Sequence, residues 1–466
     1  MLFRQVFDSS LAQYAYLIGC QATGEAIVID PERDIERYVA IAAAENLRIV
    51  AVAETHIHAD FLSGAREFAN RYSARVYVSD EGDADWKYLW PNEDCADGVF
   101  LKNNDTFMIG KIELRAVHTP GHTPEHMSYL VTDRGGGADQ VMGIASGDFV
   151  FVGDLGRPDL LETAAGVKNV KEPSARRLYE SVQLLDDYAD HIQIWPGHGA
   201  GSACGKALGA VPTSTVGYEK LFSPALEAAR GGEDAFVDYI LDAQPEPPLY
   251  FADMKRLNKV GPPILRSIPR PDRVDAARLR ELSTDGDHMV LDCRKDRYAF
   301  ATGHVAGSLH TPLDNTMPTV AGSLVPLGQR IVLIVDPDDV EEATVRLIRI
   351  GHDHVVAFAS TDELRHLDLA STAVVSLTDV QRLQQGGATI LDVRRGAEFR
   401  TGHFEGAVNI PHTHLHARRD EIPEGRVVVH CLTGERADPA ASFLARMGRQ
   451  VFYVDDDLAA HPGIMN

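Results

Sequence analysis

Basic residues are in short supply in this chain: 45 Lys and Arg face 68 Asp and Glu, a formal net charge of −23. A surface of that sign repels phosphate backbones and anionic bilayers, so neither nucleic acid nor a membrane is an expected partner. Cysteine is scarce as well. The five residues Cys20, Cys95, Cys204, Cys293 and Cys431 are scattered, odd in number and free of any CxxC spacing. That excludes a disulfide framework and points to a reducing compartment, the cytoplasm. No apolar run approaches the ~18 residues that a membrane span needs. The opening Met1-Leu2-Phe3-Arg4-Gln5-Val6-Phe7-Asp8 lacks the apolar core of a secretory signal, so the chain is expected to be mature from its first residue. Hydrophobic residues (44%) and charged residues (24%) are present in the proportions of an ordinary globular protein. A length of 466 residues exceeds one hydrophobic core; at ~150 residues per domain it predicts about three domains.

Four tight turns carry the chemistry of the first half. The apolar run Ile49-Val50-Ala51-Val52-Ala53 reads as a buried strand and leads into Thr55-His56-Ile57-His58-Ala59-Asp60-Phe61, with a helix expected from Ser63 onward. The histidines therefore fall on a strand-to-helix loop, where side chains can converge on an ion. Pro120-Gly121-His122-Thr123, Ser146-Gly147-Asp148 and Trp195-Pro196-Gly197-His198 follow, each a ligand-type residue in a Gly- or Pro-shaped turn after an apolar run. His118 and His126 flank the second turn and read as turn or surface histidines. Beyond residue 205 the stretches Tyr218–Ala229 and Glu233–Leu241 look helical, and Val260-Gly261-Pro262-Pro263 reads as a linker.

After that linker the sequence repeats itself. Asp292-Cys293-Arg294-Lys295 and Gly303-His304-Val305-Ala306-Gly307-Ser308 return about 100 residues later as Asp392-Val393-Arg394-Arg395 and Gly402-His403-Phe404-Glu405-Gly406-Ala407. Strands alternate with helical stretches in both copies, which predicts two small parallel-sheet α/β domains. In the second copy the strand Val427-Val428-Val429-His430 runs into Cys431-Leu432-Thr433-Gly434-Glu435-Arg436 and then a helix. Backbone N–H groups, a helix N-terminus and Arg436 would all stabilise a thiolate there, and the same cradle suits a persulfide. Four residues separate Cys431 from Arg436, a smaller ring than a phosphate needs. The first copy has Asp336-Pro337-Asp338-Asp339 in the matching place; it carries no cysteine there and is expected to be inert. Cys293 is expected to serve packing, and His412-Thr413-His414-Leu415-His416 to be a solvated segment.

The four turns, in this order, resemble the metallo-β-lactamase superfamily, and the repeats resemble rhodanese domains through Leu391-Asp392-Val393-Arg394, Gly402-His403 and Asn409-Ile410-Pro411. The resemblance implies an α/β chain: an αββα sandwich over residues 1–262 with a helical extension, an inactive rhodanese-like domain over 263–368 and an active one over 369–466. The superfamily signature is H-x-H-x-D-H, and its last histidine is Phe61 here. That removes one strong ligand of a second ion and favours a mononuclear site with His56, His122 and Asp148 as ligands. Two imidazoles and a carboxylate on one face form the ligand set of non-haem Fe(II) oxygenases, whereas three nitrogens and a water favour zinc and hydrolysis. One Fe(II) per chain is expected, with Zn as the alternative. His58, Asp60 and His198 are expected beside the ion, orienting ligands or substrate or serving as alternative ligands.

Gly147-Asp148 with Gly156-Arg157-Pro158-Asp159 resembles an element of persulfide dioxygenases, and the whole chain resembles persulfide dioxygenase–rhodanese fusions of bacterial sulfide detoxification. Arg157 then fixes the loop or faces substrate; the plainer reading is a salt bridge to Asp159 or Asp154. Cys204, in a glycine-rich loop after His198, is either a sulfur relay or a small buried cysteine. The resemblance implies oxidation of glutathione persulfide, or a similar thiol persulfide, by O2 to sulfite, with thiosulfate or sulfite exchanged at Cys431 and the chain in a homo-oligomer, dimer or tetramer. Two other readings stay open: a thiol-ester hydrolase resembling glyoxalase II with a regulatory rhodanese pair, and a persulfide carrier or sensor without turnover.

Overall fold

A computed structural model describes residues 1–91, 97–163 and 169–465 of the chain. Cys95 lies outside the described residues. The chain divides into two compact units, Met1–Arg266 and Ser267–Asn466.

The first unit is built on two six-stranded sheets. The first sheet runs in sequence order through Leu2–Asp8, Gln13–Cys20, Glu25–Ile29, Arg48–Ala53, Arg75–Ser79 and Gly98–Leu101. The second runs through Thr106–Ile109, Ile112–His118, Met127–Asp133, Gly143–Gly147, Gln193–Pro196 and Ser214–Thr215. Side chains alternate between faces along a strand, and that alternation produces three cores. Tyr16, Ile18, Ile27, Ile29, Leu114, Tyr129, Ala145 and Trp195 pack sheet against sheet. Leu17 and Val28, one residue out of phase, pack with Tyr38 and Phe68 of the helices Glu36–Ala44 and Ala65–Tyr72. Leu130, Ile144 and Ile194 turn the other way, onto Leu178 of the helix Lys171–Val182 and onto Phe236 and Ile240 of the helix Glu233–Leu241. The layers are therefore helix, sheet, sheet, helix.

The helical stretch expected over 218–229 is two helices, Val216–Phe222 and Pro224–Arg230. Pro224 has no N–H to continue the first helix and instead opens the second. The stretch read as a linker is tied down: Arg66 donates to the carbonyls of Gly261 and Pro262, and Arg33 donates to that of Pro263.

The second unit holds two five-stranded sheets whose neighbouring strands pair in parallel. The first has the order Asp272–Arg273, Val355–Ala359, Arg330–Ile334, His288–Asp292, Leu309–His310; the second has Ala373–Val375, Gln450–Val454, Arg426–His430, Thr389–Asp392, Val408–Asn409. The two orders are the same, so the sequence repeat is a repeat of topology. Its Asp-x-Arg signature is a clamp. Asp292 and Asp392 end their strands and each grip the arginine two residues on, whose Nη2 donates to the carbonyl of Gly303 or Gly402 after the next helix.

The segment 412–416 is not solvated. Pro411, Thr413 and Leu415 are buried and draw the histidines into half-buried positions. Burial, then the charges of Arg436 and Arg395, pushes His412 down to about 3.

Candidate metal centre

Sheet ends deliver the site. The strand Arg48–Ala53 ends at Glu54, and the next residues loop across the sheet edge before the helix Ala65–Tyr72 begins. Asn258, from the helix Phe251–Val260, holds this loop from above: its Nδ2 donates to the carbonyls of His58 and Phe61, and its Oδ1 accepts from the N–H of Ser63. The strand Gly143–Gly147 ends in Gly147 at φ +51, where a Cβ would meet Thr55 and His126. That turn aims the next residue, Asp148, into the loop.

His56, His122 and Asp148 come together with ligand atoms all within 4.8 Å of one another, and all three are buried. Their hydrogen bonds settle which ring nitrogen is free. The Thr55 hydroxyl donates to Asp30 Oδ2 at 2.8 Å, so at 3.0 Å it accepts from His56 Nδ1. His122 Nδ1 donates to the carbonyl of Arg157 at 3.0 Å. Each imidazole therefore keeps its Nε2 lone pair for an ion. His122 Nε2 stands 3.4 Å from Asp148 Oδ2, yet both carboxylate oxygens of Asp148 are buried without a hydrogen-bond donor. Lone pairs facing carboxylate oxygens repel unless a cation sits between them, so these residues fit a metal ion. Burial pushes His122 down to about 4 and Asp148 up to about 6. His56 is lowered by burial and then by the neighbouring imidazoles.

His58 belongs to a different group. Its Nε2 lies 3.1 Å from Asp30 and 3.3 Å from Glu54, all three buried. Burial lowers its pKa, but Asp30 and Glu54 outweigh that and leave it raised. The three also bring ligand-type atoms within 4.8 Å of one another. Phe61 is fully buried, its ring 4.4 Å from that of His58. Asp60, His198 and Cys204 form a third buried group, again within 4.8 Å. His198 Nδ1 donates to the carbonyl of Ala12 at 3.2 Å, and its Nε2 faces Asp60 at 3.3 Å and Asp148 at 3.6 Å. Burial, then Asp148 and Asp60, pushes the Cys204 thiol well up.

Arg157 is buried and spent on structure. It holds Asp159 through two bonds of 2.8 and 2.6 Å and donates to the carbonyl of Ala203 at 3.1 Å, while its own carbonyl anchors His122. His126 corrects the sequence reading. It is fully buried, not at the surface, because the turn from Thr119 folds back and His126 heads the next strand, its carbonyl accepting from Thr119. Its Nε2 accepts from the N–H of Asp148 at 3.0 Å, so Nδ1 carries the proton and donates to Thr119. His118 is half-buried at a strand end, bonded to the carbonyl of Pro124. Sequence reasoning missed Asp30, Glu54, His126 and Asn258 as parts of the site. Asp30 left one signal, an acid directly before a proline at a strand end; the others left none.

In the second unit, Cys431 follows the strand Arg426–His430 and is buried. Arg436 lies fork to fork with Glu398, at 2.6 and 2.8 Å. Cys293 is buried, and burial followed by the charge of Asp292 pushes its thiol up to about 12. The acid loop of the first repeat forms the short turn Pro337–Asp339.

Two stretches of the chain match known families. Residues 10–198 match the Metallo-beta-lactamase superfamily, and residues 376–460 match the Rhodanese-like domain. A crystal structure of a metallo-beta-lactamase from Staphylococcus aureus subsp. aureus COL is 40% identical, with a TM-score of 0.68 over 77% of this chain and 98% of that one. The chain belongs to the metallo-β-lactamase superfamily. Two superfamily relatives differ in chemistry. A mitochondrial persulfide dioxygenase of Bos taurus is 24% identical over 231 residues, 48% of this chain and 76% of that protein. A hydroxyacylglutathione hydrolase of Francisella tularensis subsp. novicida is 27% identical over 198 residues, 42% of this chain and 66% of that protein. Similarity alone does not choose between oxygenase and hydrolase; the site has to. No helix among the described residues is long and apolar enough to cross a membrane.

Proposed function

We propose that the first unit oxidises a low-molecular-weight thiol persulfide with dioxygen, and that the second transfers sulfane sulfur through Cys431. With glutathione persulfide, one dioxygen and one water would give glutathione, sulfite and two protons. The observation that carries the reading is Phe61. It places a buried apolar ring where the superfamily signature has its last histidine, while His58 is engaged by Asp30 and Glu54. Of the three buried groups of ligand-type residues, His56, His122 and Asp148 are the one with two imidazoles and a carboxylate. A ferrous ion held by these three would supply dioxygen activation and an open position for the substrate sulfur. The protein's own part is to fix both imidazoles through Thr55 and Arg157 and to keep bulk water from the buried site. Cys204, beside Asp60 and His198, is the candidate to carry a sulfane sulfur.

At Cys431 the thiolate would attack the outer sulfur of thiosulfate. A new S–S bond forms, the S–S bond of thiosulfate breaks, and sulfite leaves with the electron pair. Sulfite from the first reaction can drive the same step backwards to thiosulfate, and the presence of both activities in one chain keeps a reactive persulfide at high local concentration.

One observation favours a second reading. Asp60, His198 and Cys204 gather beside Asp148, and such a group suits a second ion and a thiol-ester hydrolase. An oxygen electrode separates the two: glutathione persulfide should drive oxygen uptake with sulfite as product, and a glutathione thiol ester should not be hydrolysed. Ester hydrolysis without oxygen uptake would overturn the proposal.

A further inference from the structure

The repeat without a cysteine loop reaches into the loop of the repeat that has one. Three consecutive carbonyls of the Cys431 loop are held by groups outside it. That of Leu432 accepts from the N–H of Leu458 at 2.9 Å, that of Thr433 from Arg297 Nη2 at 3.2 Å, and that of Gly434 from the Tyr453 hydroxyl at 3.2 Å. In a trans peptide the N–H points opposite to the C=O. Pinning these carbonyls outward therefore turns the N–H groups of Thr433, Gly434 and Glu435 to the other side of the loop. Those three N–H groups have no hydrogen-bond acceptor among the described residues.

The Gly434 carbonyl also accepts from the N–H of Asp438 at 3.0 Å, so three of the four donors, Leu458, Tyr453 and Asp438, come from the second repeat itself. The fourth, Arg297, opens the helix Arg297–Thr302 of the first repeat. Its guanidinium is held at 2.9 Å by Asp455, the residue against which a Cβ at Gly434 would collide. Gly434 sits at φ +88, so this conformation is built for glycine and enforced from outside. The same seam is reinforced along the helix Ala437–Arg446 that follows the loop. The N–H of His310 donates to Ser442 at 3.0 Å, and Arg446 donates to the carbonyl of Gly307 at 2.7 Å.

We propose that the cysteine-free repeat completes the sulfur-transfer site of its neighbour, with Arg297 as a positioning residue that orients the Thr433–Gly434 peptide so that its N–H faces the Cys431 sulfur. The inference rests on the sulfur-transfer reading of Cys431. The inert repeat thereby gains a role, because one of its side chains sets the anion cradle, and Asp455 sets that side chain.

The test uses the full chain with Arg297→Ala and Arg297→Lys. Arg297→Ala should lower kcat for thiosulfate-to-thiol transfer about tenfold with KM changed less, since the cradle acts on the Cys431 sulfur, which regains its charge as the leaving thiolate when the acceptor thiol takes the outer sulfur, rather than on docking. It should slow iodoacetamide labelling of Cys431 at neutral pH, read peptide by peptide, and speed hydrogen exchange of the peptide that spans residues 431–436. Arg297→Lys keeps a donor and should recover most of each effect. A KM rise at constant kcat would make Arg297 a substrate contact and overturn the positioning role. Equal loss in the Ala and Lys variants together with a lower unfolding midpoint would reduce it to packing. Unchanged labelling and exchange would overturn the proposal while leaving sulfur transfer at Cys431 intact. If Cys431→Ser still transfers sulfur, the underlying reading fails, and labelling and exchange still report whether Arg297 shapes the loop.

Discussion

Asp438→Ala and Asp438→Asn should differ sharply in stability, for a reason visible at the seam between the two repeats. His310 Nδ1 donates to Asp438 Oδ2, and His310 Nε2 donates to the carbonyl of Arg294 at 2.7 Å. Both ring nitrogens face acceptors, so the imidazole is doubly protonated. His310 is 0% exposed and Asp438 3%. Removing the carboxylate in Asp438→Ala strands a buried cation, at a cost of about 3–5 kcal/mol. Asp438→Asn leaves a donor able to bond a neutral Nδ1 while Nε2–H keeps the Arg294 carbonyl. A neutral bond then replaces a charge-assisted one, at a cost of about 1–2 kcal/mol. The pH dependence has a fixed sign. Burial lowers the pKa of His310, but Asp438 outweighs it and leaves it raised. The stabilisation is therefore present below the unfolded histidine value of ~6.5, down to the point where Asp438, its own pKa raised by burial, takes up a proton, and it is lost as pH rises through the folded histidine value. Guanidinium unfolding of the full chain, following the transition of the second unit at several pH values, measures both effects. The reasoning is refuted if Asp438→Ala lies within about 1 kcal/mol of the wild type, or if Asp438→Asn keeps the wild-type slope with pH.

Cys431→Ser should abolish sulfur transfer from thiosulfate while leaving oxygen uptake with preformed glutathione persulfide largely intact, because a serine hydroxyl stays protonated near neutral pH; mass spectrometry should find an added sulfur on wild-type Cys431 after thiosulfate treatment. Gly434→Ala forces an alanine into φ +88 against Asp455. It should cost about 1–2 kcal/mol in unfolding experiments and remove most of the sulfur transfer. Arg157→Lys keeps the charge but loses the two-pronged hold on Asp159 and the bond to Ala203. Metal affinity, measured by chelator competition, should fall about tenfold through the His122 anchor.

The repeat was legible because it writes itself into spacing: Asp292 and Arg294 return as Asp392 and Arg394. The sandwich was legible only through the order of its four turns, because strands such as Gln13–Cys20 are buried on both faces and show no alternation of apolar and polar residues. The three turns bearing His56, His122 and Asp148 were readable because ligand-type residues in Gly- and Pro-shaped turns stand out. The supporting residues were not. Asn258 holds the carbonyls of His58 and Phe61 across some 200 residues of chain, and nothing local marks an asparagine in a helix for that role. His126 was misread for a related reason: a histidine after a turn looks exposed until the turn folds back and buries it under Asp148. Arg297 escaped notice because its partner, Thr433, belongs to the other repeat.

The central claim is that one iron, held by His56, His122 and Asp148, turns over persulfide with oxygen. The most direct measurement is the metal content of anaerobically purified protein taken together with its oxygen uptake on glutathione persulfide, for the wild type and for His122→Ala. The wild type should carry about one iron per chain, as three protein ligands with open positions imply, and should consume oxygen in proportion to that iron. His122→Ala should lose both together. Two tightly bound zinc ions per chain with no oxygen uptake, or a His122→Ala variant that still consumes oxygen at the wild-type rate, would contradict the account.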